Sequence, residues 1–269
     1  MSSPQDERAF QALTQKISRT RGVSCESYKD KCLKRRIAVR MRARGVHTYD
    51  EYSRLLDTDG HEYELLLDAL TINVTKFYRN AETWEALARP HLAERWRARQ
   101  GRLRVWSAGC ASGEEPYTIA VLLAQTAGSD SLQHAFVDAT DVDRLSLERT
   151  RQAAYPESAF SEMPAELVRR YFTPGPPRQP LPPVRALVRV LAHDLMRDAP
   201  PHAPYDLIVC RNVVIYFERQ AQERLFERFT EALAPGGLLL LGKVETLFGA
   251  ARERLTLVDP RERIYVKPA

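Results

Sequence analysis

The run VWSAGCASGEEPYTIA, residues 105–120, constrains this chain more than any other stretch, because it spells a strand, a tight turn and a helix start without interruption. Leu103, Val105 and Trp106 form a β-prone apolar segment. Gly109 and Gly113 bracket a turn of small residues, and Pro116 falls in the first turn of a helix that continues through Ile119, Val121 and Leu122. A turn of this kind allows close backbone approach, as in dinucleotide-binding folds, yet Glu114 and Glu115 stand at the helix start where a pyrophosphate would bind. Acids there repel phosphate and suit a ligand with a cationic end. The same run also fits an ordinary βα turn with no ligand, and spacing alone does not separate the two.

Further strands follow at intervals that suit a Rossmann-like α/β domain. Residues 135–140 form a second short apolar strand ending on Asp141, residues 188–192 a third followed by Asp194, and YDLIVC, residues 205–210, a fourth that runs into Arg211 and Asn212. In an open α/β sheet, ligands bind beyond the carboxyl ends of the strands, so Gly109, Asp141, Asp194 and Asn212 are predicted to converge on one crevice. A helix over residues 220–233 leads through APGGLLLLG into a fifth buried strand. Residues 255–258 and 263–266, either side of DPRE, read as an antiparallel edge. A cofactor that joins an adenosine to a cationic amino-acid end is S-adenosylmethionine, and a carboxylate after the second strand suits its ribose hydroxyls.

The motifs TINVTKFYR (residues 71–79), VWSAGCASGEEPYTIA, TDVD (140–143), CRNVVIYF (210–217) and APGGLLLLG (234–242) together resemble the CheR-type chemotaxis receptor methyltransferases, over nearly the whole chain. The resemblance implies an S-adenosylmethionine-dependent methyltransferase domain, a small N-terminal all-α domain and a short β-subdomain insertion. It implies cofactor contacts from Asn73, Thr75 and Arg79, from Glu115 to the methionine amino group, from Asp141 to the ribose, from Asp194 with Leu195 to the adenine, and from Arg211 with Asn212 beneath the ligand. Arg79 and Tyr216 would flank the transferring methyl, with S-adenosylhomocysteine as product. Two positions depart from the family pattern: Asp194 stands where Asn is usual, and GKVE (242–245) replaces a GHSE-like ending while retaining Glu245. The implied boundaries are an N-terminal helical domain over 1–78, a linking helix over 79–100 and a catalytic domain over 101–269, with the insertion at about 160–190.

The helical region is punctuated by an apolar series at Phe10, Leu13 and Ile17, a C-terminal cap at Gly22, a capping box at Thr48 and Glu51, and a similar pair at Asp59 and Glu62. Between them, residues 29–44 carry eight basic side chains against one acid, a net +7, whereas the whole chain is +5, so the remainder sums to −2. The basic character is therefore concentrated on one helix. Leu33, Ile37 and Met41 form its apolar stripe, which puts Lys31, Lys34, Arg35 and Arg42 on the opposite face. That face reads either as a solvated surface or as a dock for an acidic partner. The resemblance implies the helices of methyl-accepting chemoreceptors.

Nucleic acid is the rival target, since a basic element beside a methyltransferase fold also suits an RNA-modifying enzyme. Enzymes that methylate adenine nitrogens generally carry an Asn/Asp-Pro-Pro-aromatic turn after the fourth strand, and this chain has CRNVVIYF instead. A small-molecule substrate would suit the same fold, as would a non-catalytic regulator that binds the cofactor; retention of Arg79 and Tyr216 argues against the regulator. The proline-rich segment 173–183 lacks the glycine-rich turn of family members that bind a receptor pentapeptide, so pentapeptide tethering is not expected. Four cysteines without ligand spacing and six scattered histidines give neither a disulfide framework nor a metal pattern. With a polar N-terminus and no long apolar run, the expectation is a cytoplasmic monomer without membrane insertion.

Overall fold

In the computed structural model, residues 3–21, 23–70, 75–128 and 132–269 are described. The chain divides into two compact units, Met1–Asn73 with Tyr216–Gln222, and Val74–Ile215 with Glu223–Ala269. The boundary falls before the expected residue 78, and the reason is packing. Phe77 stacks on Phe160 at 4.5 Å and meets Tyr155 and Phe172 edge-on, so this segment belongs to the core of the second unit.

The first unit contains α1 (Pro4–Arg21), α2 (Asp30–Ala43), α3 (Tyr49–Thr58) and α4 (Gly60–Leu70). Phe10, Leu13 and Ile17 on α1 and Leu33, Ile37 and Met41 on α2 are all buried, as their spacing predicts. Thr48 and Glu51 form the capping box that starts α3; Gly22 lies outside the described residues. Asp59 does accept the Glu62 N–H at 2.9 Å. The Glu62 side chain does not return to cap it. Its carboxylate is fully buried, accepting from Arg40 at 2.6 Å and from the Tyr52 hydroxyl at 2.7 Å, and so joins α2, α3 and α4. The segment Tyr216–Gln222 also belongs here: Tyr28 and Phe217 form an antiparallel bridge, and the Lys29 N–H donates to the Tyr216 carbonyl at 2.9 Å.

The second unit opens with α5 (Ala81–Ala86), a π-helical segment Leu87–Leu92 and α6 (Ala93–Ala98). These run on as one helical stretch, widened at Pro90, which has no N–H to give the preceding turn. A seven-stranded sheet follows in the order β3-β2-β1-β4-β5-β7-β6. Its strands are β1 (Arg104–Ala108), β2 (Phe136–Asp141), β3 (Val188–Ala192), β4 (Tyr205–Cys210), β5 (Leu233–Leu241), β6 (Thr256–Asp259) and β7 (Ile264–Val266). The first five are parallel, and β7 and β6 run antiparallel at one edge. The remaining helices are α7 (Glu114–Ala127), α8 (Arg144–Gln152), α9 (Ala165–Tyr171), α10 (Pro182–Arg185), α11 (Arg219–Ala232) and α12 (Ala250–Arg254). The chain winds outward from β1 through β2 to β3, then returns to place β4 on the other side of β1. That reversal opens a crevice beyond the carboxyl ends of β1 and β4.

The segment expected to hold a β-subdomain instead carries α9, α10 and two isolated antiparallel bridges, Tyr155 with Arg178 and Phe172 with Pro180. Proline supplies no ladder donor, and Pro174, Pro176, Pro177, Pro180, Pro182 and Pro183 keep this stretch from extending into strands. Among the described residues no helix is long and apolar enough to cross a membrane.

Removing the Glu62 carboxylate would leave the Arg40 guanidinium and the Tyr52 hydroxyl without their shared acceptor. Glu62→Ala is expected to destabilise the first unit by about 3 kcal/mol, read as a lowered denaturation midpoint of the helical signal. A midpoint equal to that of the wild type would show that the Arg40–Glu62–Tyr52 cluster does not hold the helices together.

Candidate active site

The candidate cofactor residues of the second unit lie before the sheet and after β1, β2, β3 and β4. The turn after β1 is fixed by the Gly109 and Cys110 N–H groups, both donating to the Thr140 carbonyl at 2.9 Å. Gly109 and Gly113 have φ of +84° and +100°. A Cβ on Gly109 would lie 2.5 Å from Val213, and one on Gly113 2.5 Å from the Tyr155 hydroxyl, so both positions require glycine for space as well as for conformation. The contact with Val213 puts the loops after β1 and β4 face to face.

Glu115, in the first turn of α7, accepts from the Ser107 hydroxyl at 2.9 Å and lies 4.0 Å from an Arg211 nitrogen. Burial raises its carboxyl to about 7, against the pull of the Arg211 and Arg79 charges. Asp141, at the end of β2, accepts from the Ala111 N–H at 2.9 Å and the Asp143 N–H at 3.0 Å, and burial raises it to about 6. Arg211 leaves β4 as a buried guanidinium. One terminal nitrogen donates to the Arg79 carbonyl and to the Asn80 side-chain oxygen, each at 3.0 Å, and the group lies 4.9 Å from the Trp84 ring centre. Its Nε has no hydrogen-bond partner.

Tyr78, Asn80 and Asn212 all have positive φ, near 60°. Asn tolerates this region, whereas a bulky Tyr does not adopt it without strain, and such residues cluster at functional sites. Arg79 sits between Tyr78 and Asn80, half-buried.

The structure thus brings Arg79, Glu115, Arg211 and Asn212 to adjoining positions, with Asp141 tied to the same β1 turn through Ala111. Asp194 and Leu195 follow β3. Asp194 accepts from the Met196 N–H at 2.8 Å and organises its own turn, while the Leu195 carbonyl accepts from Arg228 at 2.6 Å. Thr75 is half-buried, and Asn73 lies outside the described residues. Tyr216 falls in the first unit, where the Arg36 guanidinium lies 4.5 Å from its ring. Among the described residues no group of three or more His, Cys, Asp or Glu side chains is placed to hold a metal.

Glu245 is a functional candidate to which the sequence motifs assign no role. Its buried carboxylate accepts from the N–H groups of Gly242 at 2.7 Å, Asn212 at 3.0 Å, and Val213 and Val214 at 2.9 Å each. The neighbouring Lys243 pairs with Glu82, and at 3.5 Å with Glu262, so the departure from the family pattern at GKVE is absorbed by ion pairs on the outer side of the loop. The sequence signal is the retained acid three residues after Gly242.

On the basic helix, exposure divides the predicted docking residues. Lys31, Arg35 and Arg42 are exposed and have no ion pair among the described residues. Lys34 is half-buried, bonded to Glu7 at 2.6 Å and lying 4.7 Å from the Phe10 ring centre, so it ties α2 to α1 rather than standing free. Arg40 and Arg44 are likewise paired, to Glu62 and Asp59.

The residues fit S-adenosylmethionine: two half-buried carboxylates lie beside a turn with no room for a side chain at Gly109 or Gly113, and a buried guanidinium keeps an unpartnered N–H. In the absence of ligand, those carboxylates make stability depend on pH. Unfolded carboxylates titrate at about 4, so the folded state binds these protons more tightly. Their contribution is complete at acid pH and is lost as the pH rises through about 6 for Asp141 and about 7 for Glu115. The ligand-free wild type is expected to lose thermal stability between about pH 5 and pH 8 more steeply than a Glu115→Gln, Asp141→Asn double variant. Equal slopes in thermal melts would contradict the raised state of the pair.

Residues 73–264 match the family described as CheR methyltransferase, SAM binding domain, and residues 8–71 match the CheR methyltransferase all-alpha domain. A chemotaxis protein methyltransferase of Listeria monocytogenes is 32% identical over 249 residues, spanning 92% of this chain and 94% of that protein. One from Escherichia coli is 33% identical over 261 residues, with 92% and 87% covered. Chemotaxis protein methyltransferase 2 of Pseudomonas aeruginosa is 34% identical over 248 residues, with 90% and 88% covered. With both family domains present in order and such relatives matching over most of its length, the chain belongs to the CheR family of S-adenosylmethionine-dependent methyltransferases.

Proposed function

We propose that this chain methylates glutamate side chains on the cytoplasmic helices of chemoreceptors, acting as a monomer in the cytoplasm without a pentapeptide tether. The observation that carries the substrate class is the exposed basic row Lys31, Arg35 and Arg42 on α2, in a chain whose charge is otherwise close to balanced. A glutamate-rich helix offers the matching charge.

When bound, S-adenosylmethionine supplies a methyl group on a sulfonium centre. A substrate glutamate, with a reference pKa of about 4.3, is already ionised at neutral pH, so no residue of the chain has to remove a proton. The work left to the protein is placement and charge compensation. Glu115 is the acceptor for the ligand's ammonium, helped by the Ser107 hydroxyl that fixes its orientation. Asp141 holds the ribose hydroxyls, Asp194 and Leu195 the adenine, and Asn73, Thr75, Arg211 and Asn212 complete the surround. Arg79 and Tyr216 flank the methyl, and the Arg79 charge offsets the cost of desolvating the incoming carboxylate.

The test is transfer of radiolabelled methyl to membranes carrying chemoreceptors, with RNA as a second acceptor in the same assay. Label that is incorporated into receptor and released as methanol by base identifies a carboxyl ester. Label in RNA alone would overturn the assignment. Reversing Lys31, Arg35 and Arg42 to Glu is expected to lower receptor methylation by about a hundredfold while leaving S-adenosylhomocysteine affinity within about twofold. Normal methylation by that triple variant would remove α2 from substrate docking.

A further inference from the structure

Glu245 makes contacts out of proportion to a loop acid. Its two carboxylate oxygens divide the loop donors between them: one accepts from Gly242 and Asn212, the other from Val213, Val214 and, at 3.4 Å, Ile215. The side chain is only 4% exposed, and Arg211 and Asn212, the residues that follow β4, are thereby held from the end of β5. Gly242 is part of the same device, since a Cβ there would lie 2.6 Å from a Glu245 oxygen and 3.0 Å from the Asn212 nitrogen. Asn212 keeps a left-handed φ of 60° while its N–H points into the carboxylate. Five N–H groups that a loop would otherwise turn to water are satisfied by one anion, and charge-assisted bonds of this kind are the strong ones.

We propose that Glu245 is a positioning residue for the methyltransferase site: its carboxylate fixes the loop after β4 so that Arg211 and Asn212 meet the cofactor in one conformation. The inference rests on the cofactor role proposed above for those two residues, and it adds a reason why the loop needs an acid that itself touches neither ligand nor substrate. Gln is nearly isosteric with Glu, but its amide has one acceptor oxygen and one donor NH2. Whichever way the amide turns, the NH2 faces two or three N–H donors, so Glu245→Gln keeps the volume and loses much of the cage.

Hydrogen exchange over residues 210–217, S-adenosylhomocysteine calorimetry and receptor methylation, measured on wild type, Glu245→Gln and Gly242→Ala, test the assignment. In the wild type the Asn212, Val213 and Val214 amides exchange slowly. In both variants they exchange at least about tenfold faster, S-adenosylhomocysteine affinity falls about tenfold, and kcat falls while the receptor KM stays within about twofold. Wild-type exchange, affinity and kcat in Glu245→Gln would overturn the proposal. So would wild-type amides that exchange at the rate of an open loop, a result that does not depend on whether either variant folds. If the wild type binds S-adenosylhomocysteine yet methylates no receptor, the substrate assignment fails, and the exchange and affinity measurements still decide the role of Glu245.

Discussion

A buried guanidinium organises the second unit. Arg211 is 6% exposed, which for a cation that cannot discharge is tolerable only where acceptors, opposite charge and aromatic faces replace water. The Arg79 carbonyl, the Asn80 oxygen, the Trp84 ring and the Glu115 carboxylate supply that replacement. Because these partners come from the segment before the sheet and from the first turn of α7, satisfying one side chain fixes the relation between the strained 78–80 stretch, the β1 turn and the end of β4. Breaking any of these contacts leaves a charge buried without its full set of partners.

Around this cation the site is built from charged groups that the fold can barely keep dry. Glu115 and Asp141 are both raised by burial, so the ligand-free site stores a preference for protons that a cation and a pair of hydroxyls can replace. Glu245 is also raised by burial, but its carboxylate faces five backbone donors of the loops after β4 and β5. Three acids near one crevice are thus distinguished by what donates to each.

The sheet was legible because its signals are local. YDLIVC matches β4, and residues 188–192 match β3, since a short apolar run with β-branched residues between turn formers has few other uses. Gly109 and Gly113 were legible for the same reason. What stayed hidden depends on contacts between residues far apart in the chain. Nothing near Glu62 announces that it meets Arg40 and Tyr52 instead of capping its own helix, and nothing near Lys34 announces Glu7. The grouping of Tyr216–Gln222 with the N-terminal helices, and the failure of the proline-rich insertion to form strands, likewise depend on pairing that no periodicity records.

If Glu115 and Asp141 are the groups that receive the cofactor, they must exchange protons for it. Calorimetric titration of S-adenosylhomocysteine at about pH 6.5, repeated in buffers of different ionisation enthalpy, measures that exchange directly. Binding is predicted to release protons, so the observed enthalpy varies with the buffer in the wild type and varies less in the Glu115→Gln, Asp141→Asn double variant. An enthalpy independent of buffer in the wild type would contradict the assignment of these two carboxylates to the ligand.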